Sequence, residues 1–508
     1  MSQQPHGATR GCGCSHPGSS SAVEAAAENT SAASSAAGVA GVAAHPARFA
    51  PAHTNPSGEG TLNGSLLPDD VIPNRTDSAN TASNGPARLT EQTLGEYRSE
   101  RTIIRVRAEE PRPYDLVILS SFGGPEGQED VIPFLRNVTA GRGIPDERLE
   151  EVATHYRVNG GVSPINEQNR ALLVALREAM QERGPHIPIV WANRNWKPYV
   201  TDVVQQAYEE GHRNILVLAT SAYPGYSSCR QYREDYGVAL EKLGLQDRMR
   251  IDKIRQFFDA PGFVEAFTEG LENGLKQVRN TVAERIADGT AAAGNGRIRI
   301  MFCTHSVPTS AANEAGPRGI DYEGGSAYVE KHLQVARAIL AKIREKDESL
   351  LDNIDWELVY QSRSGSPSTP WLEPDVNDAI DKIAGDVDGI IMVPLGFVSD
   401  HMEVLWDLDT EAMETCRNHG IVAVRTPTPG VHPAYVESLR RLIAERMAEP
   451  AESGHDRRES VFGESISGEV GWFDECDPDC CKPQRGQEKP VIAEYTPKKT
   501  CACCHEHV

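Results

Sequence analysis

Strand-length apolar runs recur at Asp115–Ser121, Ile187–Asn193, Asn214–Ser221, Arg297–Thr304, Trp356–Gln361, Gly389–Leu395 and Ile421–Thr426, and this recurrence limits what the chain can fold into. Helix-length stretches separate them. Asn166–Arg183 carries Leu172, Leu173, Leu176 and Met180 at helical spacing, and Phe263–Ile286, Ala327–Ile343 and Tyr435–Met447 read the same way. Strands that alternate with helices predict an α/β chain whose parallel sheets are covered on both faces. Residues 113–448 exceed the roughly 250–300 residues that one core usually holds. Two doubly wound, Rossmann-like lobes with a cleft between them are therefore expected. Lobe one is expected at about 113–212 plus 430–448, and lobe two at about 213–429. No internal sequence repeat marks the duplication.

The flanks differ in composition. Residues 1–112 are rich in Ala, Ser, Gly, Asn, Thr and Pro and hold few large apolar side chains, so disorder is expected. Glu24 and Glu28 interrupt the alanine stretch, which argues against a secretory signal. The segment is not Arg-rich, which argues against a transit peptide. Residues 449–508 form a polar, Cys-rich tail in which Trp472-Phe473 is expected to dock on the body. The formal net charge of -22 argues against nucleic acid as a partner. No apolar run reaches membrane-spanning length. Of eleven cysteines, Cys229, Cys303 and Cys416 stand alone, Cys12 and Cys14 lie near one end, and six lie from Cys476 onward. That clustering reads as metal ligation in a reducing, cytoplasmic setting. Cys303 and Cys416 read as small buried hydrophobes.

Two of the strand runs stop at ionisable residues. One ends in Phe302-Cys303-Thr304-His305-Ser306-Val307-Pro308. The other leads into Pro394-Leu395-Gly396-Phe397-Val398-Ser399-Asp400-His401-Met402-Glu403-Val404-Leu405. Open α/β sheets bind ligands at the carboxyl ends of their strands, so His305 and Glu403 form a candidate metal and proton-transfer pair. Glu403, Asp407 and Glu411 recur at helical spacing and would line one helix face. A solvated acidic face is the plain reading of such a line. Its start beside His305 and His401 favours a path for a divalent cation with imidazole and carboxylate ligands.

These segments resemble the ferrochelatase family. The resemblance extends over 113–448 and includes, in order, Ser121-Phe122-Gly123-Gly124-Pro125, Gly160-Gly161-Val162-Ser163-Pro164, Thr304-His305-Ser306-Val307-Pro308, Tyr360-Gln361-Ser362-Arg363 and the Gly396–Leu405 motif. The subgroup that the chain resembles is the coproporphyrin type with a C-terminal [2Fe–2S] extension. The resemblance implies insertion of ferrous iron into a porphyrin in haem biosynthesis, with coproporphyrin III as expected substrate and protoporphyrin IX as alternative. A non-catalytic porphyrin- and iron-binding protein with an Fe–S sensor tail, or a cobalt or nickel chelatase, are competing readings. A haem-pathway enzyme that hands on or receives the porphyrin is an expected partner.

By the same resemblance His305 is base and iron ligand, Glu403 faces it, and Asp407 and Glu411 form an iron entry path. Ser163, Tyr156, Tyr232 and Phe122 fall at porphyrin-pocket positions. His155 stands where some relatives carry arginine. Phe122 stands where some place an iron-ligating tyrosine, and a phenyl ring cannot ligate. Cys229 is expected to join Cys476, Cys480 and Cys481 around a [2Fe–2S] cluster, for which four thiolates suffice. Tetrahedral zinc would use the same four, and Cys501, Cys503 and Cys504 are substitute ligands.

Overall fold

The computed structural model describes residues 112–318, 320, 322, 324–364, 368–447, 459–462, 472–484 and 488–494. Residues 1–111, the Cys12-Gly13-Cys14 segment within them, and Cys501, Cys503 and Cys504 lie outside the described residues. All described residues fall within one unit, 64–508.

Two four-stranded parallel sheets carry the fold, as the alternation predicts. The first comprises β1 (Leu116–Ser121), β2 (Ile189–Asn193), β3 (Asn214–Ala219) and β4 (Arg250–Lys253) in the order β2-β1-β3-β4. The second comprises β5 (Ile298–His305), β6 (Ile354–Gln361), β7 (Gly389–Val393) and β8 (Val422–Arg425) in the order β6-β5-β7-β8. The two orders are the same, so the duplication absent from the sequence is present in the topology. β1 and β7 are buried along their whole length, which is why they read as unbroken apolar runs.

The expected division at 212/213 is corrected here. β3 pairs with β1, Leu116 against Ile215 through Ser120 against Ala219, and β4 extends the same sheet. The second sheet begins only after the long helix Pro261–Ala287. β4 escaped the sequence reading because Arg250-Ile251-Asp252-Lys253 has no apolar run. The helix Pro433–Met447 returns to pack on Pro261–Ala287 and Ile165–Arg183. One hydrophobic cluster runs through both sheets. It joins Val117 and Leu216 of the first to Phe302 and Ile391 of the second through Phe263, Phe267 and Leu271 of the long helix.

This topology positions the chemistry. In each sheet the chain leaves the central strand for one neighbour and later returns on its other side, so a crevice opens at the carboxyl ends of β1 and β5. β1 delivers Phe122 there and β5 delivers His305. Gly396, after β7, brings the second motif against the first. A Cβ on it would sit 2.2 Å from Thr304 Oγ1, and its amide donates to Cys303 O at 3.1 Å. Only a residue without a side chain permits that approach.

Candidate active site and cysteine centre

His305 closes β5 at an edge of the sheet crevice, part-exposed at 34% of its side chain. Its Nδ1 lies in hydrogen-bond contact with Ser306 O. A carbonyl only accepts, so Nδ1 is a donor and Nε2 is the ring nitrogen left to face the cleft. Nε2 faces Glu403 Oε2 at 3.6 Å, and the Glu403 side chain is 47% exposed. His401 stands beside both. Burial holds its imidazole below the ordinary value, with Glu403 opposing and His305 adding to that shift. Phe397 packs edge-on against the His401 ring at 4.8 Å. No three His, Cys, Asp or Glu side chains among the described residues are spaced to hold a single metal ion as they stand.

A second layer fixes the backbone of His305. Tyr328 OH donates to His305 O at 2.9 Å and lies 2.9 Å from Thr304 Oγ1, which also meets His332 Nε2 at 3.0 Å. His332 Nδ1 donates to Tyr328 O at 2.7 Å, and the ring stacks on Tyr223 at 3.6 Å. Burial pushes the His332 imidazole down to about 3, so it stays neutral within this network at physiological pH.

Asp407 and Glu411 of the acidic line lie on a π-helix, Val404–Ala412, and Glu403 immediately precedes it. The wider turn keeps residues four and five apart on one face, as the bond from Trp406 Nε1 to Glu411 Oε1 at 2.9 Å shows. π-helical turns are concentrated at functional sites. Asp407 is half-buried, and burial raises its carboxyl to about 7, with Glu403 and Glu411 adding to the shift. Ser362 counters it by donating to Asp407 Oδ2. Gln361 Nε2 reaches both Asp407 Oδ2 at 3.3 Å and Glu403 O at 3.2 Å. Ser362 holds a left-handed φ of 63° to make its contact. Nothing in the sequence of the Tyr360–Arg363 segment signals this task. Side-chain amides at strand ends carry no sequence signal of what they will meet. Asp400, at the head of the motif, is tied by Arg425 at 3.1 Å and Thr428 at 3.0 Å, and Arg425 also grips Asp409 at 2.7 Å.

The opposite wall comes from the helix Asp146–Val158. His155 stacks on Trp406 with centroids 4.1 Å apart and planes 8° apart, joining the two walls. Tyr156 is half-buried. Burial raises its phenol well above the ordinary range, and the charges of Glu403 and Asp407 across the cleft add to that. Phe122 is 38% exposed, with its ring 6.4 Å from Phe134. Ser163 and Tyr232 are buried at 4% exposure each. Ser163 lies beneath Gly124, and Tyr232 lies under the Arg194 guanidinium at 4.7 Å. A cavity of about 320 Å³ beside Ser438 lies elsewhere, and its arginines Arg255, Arg440 and Arg441 are already ion-paired.

The cysteine site is built differently. Cys229 lies on a second π-helix, Tyr226–Arg230, and the segment 472–484 brings Cys476, Cys480 and Cys481 to it. All four are 2–6% exposed. Cys480 and Cys481 Sγ are 3.6 Å apart, and Gly316 N–H donates to Cys481 Sγ at 3.2 Å. Hydrogen bonds from Cys229 and Cys480 pull the Cys476 thiol well below its ordinary value. Trp472 and Phe473 are buried, and Trp472 meets Phe258 edge-on at 5.3 Å, so the aromatic pair docks as expected. Arg446 Nη1 meets Asp474 Oδ2 at 3.1 Å in the interior. A Cβ on Gly237 would sit 2.2 Å from Pro490 O, so the glycine is what lets the tail lie down. Cys303 and Cys416 are buried in apolar surroundings away from this set.

The fold and cleft define a two-lobed α/β metal chelatase. The family described as Ferrochelatase matches residues 114–447, and the chain belongs to that family. "Coproporphyrin III ferrochelatase" of Leifsonia xyli subsp. xyli is 51% identical over 394 residues, covering 76% of this chain and 96% of the relative. The protein of the same name from Tropheryma whipplei strain Twist is 49% identical over 384 residues, covering 76% and 93%. "Ferrochelatase" of Rhodopirellula baltica is 41% identical over 389 residues, covering 75% and 98%. No described helix is long and apolar enough to cross a membrane.

Proposed function

We propose that this chain inserts ferrous iron into coproporphyrin III to give Fe-coproporphyrin III in haem biosynthesis. The His305–Glu403 pair carries this reading, with Nε2 and Oε2 3.6 Å apart at the sheet crevice. A free-base porphyrin must lose two inner N–H protons and buckle before it accepts a metal. Neutral Nε2 takes a proton or holds iron on its way to the ring, and Glu403 relays what Nε2 receives. Asp407 and Glu411 form the approach along the π-helix for a doubly charged ion. Phe122 and Tyr156 offer their rings as walls, and Phe122 gives no axial ligand. Ser163 and Tyr232 act from behind them, Ser163 toward a propionate.

The preference for coproporphyrin III is supported by relatives of that name at about half identity over most of their length. Purified protein given anaerobic Fe(II) with coproporphyrin III or protoporphyrin IX, followed by absorbance, tests it. Faster loss of the coproporphyrin free-base spectrum is expected, and equal or reversed rates overturn the preference.

We also propose that Cys229, Cys476, Cys480 and Cys481 hold a [2Fe–2S] cluster. Four converging buried thiols support it. A cluster binds its sulfurs as two pairs and so does not ask four thiols to close on one ion. When bound it supplies a one-electron centre and fastens the tail. Its free thiols suit a reducing, cytoplasmic setting. Iron and acid-labile sulfide in the isolated protein test it.

A further inference from the structure

Two buried cations stand beside the four thiols, Lys253 with no ion pair among the described residues and Arg233 with a single long one to Glu494. Lys253 ends β4, placed opposite Val217 by strand pairing, and is 5% exposed. Its Nζ donates to Ile254 O at 2.9 Å and to Gln256 Oε1, both neutral acceptors. No ion pair to Lys253 occurs among the described residues. Arg233 is 1% exposed. It spends Nε on Ile492 O at 2.9 Å and Nη2 on Ala493 O at 3.2 Å, while Nη1 is buried without a partner. The Glu494 carboxylate stands 3.8 Å from its Nη2. Both cations line a void of about 10 Å³ together with Cys229, Cys476, Arg255 and Asp474, of which Arg255 is paired with Asp259 and Glu445 and Asp474 with Arg446 at 3.1 Å. Arg230 stands apart from this pair because Glu234 answers it at 3.3 Å inside the protein.

Burying a cation without an anion is strongly unfavourable, and such groups are kept where a charge is bound. We propose that Lys253 and Arg233 are the counter-ions of the four-thiolate centre, and that the Lys253 ammonium raises its reduction potential. The inference rests on the cluster reading above. Two ferric ions, two sulfides and four thiolates sum to a dianion, which two cations balance. Reduction adds one electron and takes up no proton, so the reduced centre is one unit more negative. A fixed ammonium in a dry surrounding favours that form over the oxidised one. Lys253 is thus a positioning and tuning residue, with no bond to iron.

The test compares wild type, Lys253→Met and Lys253→Arg as isolated full-length proteins. Each is analysed for iron and acid-labile sulfide, then titrated with dithionite under redox dyes and followed by electron paramagnetic resonance. Lys253→Met keeps most of the apolar stem while removing the charge, and Lys253→Arg keeps the charge. The expected result is a midpoint at least 59 mV lower in Lys253→Met, a tenfold shift in the one-electron equilibrium, with Lys253→Arg near wild type. Loss of iron and sulfide from Lys253→Met alone also supports the proposal, because charge is what separates the two variants. A wild-type midpoint in Lys253→Met, or equal loss of iron from both variants, overturns it. Wild-type protein that holds no iron and sulfide overturns the cluster reading before any variant is made, and this inference with it.

Discussion

The cleft and the cysteine site both gather metal-binding side chains, yet they differ in exposure. His305 and Glu403 keep 34% and 47% of their side chains open, whereas the four cysteines keep 2–6% of theirs. The cleft residues are also held loosely: one carbonyl fixes the His305 ring, and Glu403 meets it at 3.6 Å. The cysteines are walled by Trp472, Phe473 and the buried Arg446–Asp474 pair. An ion that must leave with the product needs an open site with few ligands. An ion that stays needs a closed one with a full set. On the proposed reading, the two regions separate iron as cargo from iron as resident.

The sharpest break of this comparison is His305→Ala. Metallation is expected to fall at least a hundredfold, the order of a lost general base and ligand, while porphyrin binding, read by fluorescence, survives on the apolar walls. Turnover above a tenth of wild type would remove His305 from its role. On the resident side, Cys229→Ser should bleach the visible absorbance of the isolated protein and lower its melting temperature, because binding free energy is folding free energy for a tail held this way. Cys501→Ser should leave both unchanged. If colour disappears only in the terminal-tail variants, the resident site is misplaced.

Smaller effects sharpen the cleft. Asp407→Asn is expected to raise the apparent KM for ferrous iron several-fold more than it lowers kcat, since it removes charge from the approach and not the base. Equal iron dependence would leave the acidic line as a solvated face. The smallest effect concerns pH. His332 has an ordinary value near 6.5 when unfolded and about 3 when folded, so the unfolded chain binds more protons between the two. Its contribution to stability is complete above pH 6.5 and is lost as pH falls toward 3. The melting temperature of wild type should therefore drop more steeply from pH 7 to pH 4.5 than that of His332→Gln. Parallel curves would mean that the ring is not held neutral.

Much of the cleft was legible in the sequence because its residues are delivered by strand ends. An apolar run that stops at His305, and another that stops short of Asp400, announce themselves by pattern alone. The fold class followed from the same alternation. The lobe boundary did not, because hydrogen bonding across β1 and β3 is a choice of partner that no single strand encodes. β4 is short and polar and gave no run. The i, i+4, i+8 recurrence of Glu403, Asp407 and Glu411 predicts a helix face but does not distinguish the π-helix Val404–Ala412 from an α-helix. The task of Gln361 and Ser362 is not legible in the sequence, because their partners Glu403 and Asp407 come from the segment after another strand. The cysteines showed the reverse. Trp472-Phe473 marked the docking tail, but the buried cations around the thiols, Lys253 above all, are visible only once β4 is in place.

The most direct measurement is isotopic. Protein purified with natural-abundance iron is given anaerobic ⁵⁷Fe(II) and coproporphyrin III for several turnovers, then separated from product and analysed by mass spectrometry and Mössbauer spectroscopy. The porphyrin product is expected to carry ⁵⁷Fe while the protein-bound iron stays unlabelled. Label accumulating at the cysteine site, or product iron drawn from the protein, would contradict the separation of cargo from resident.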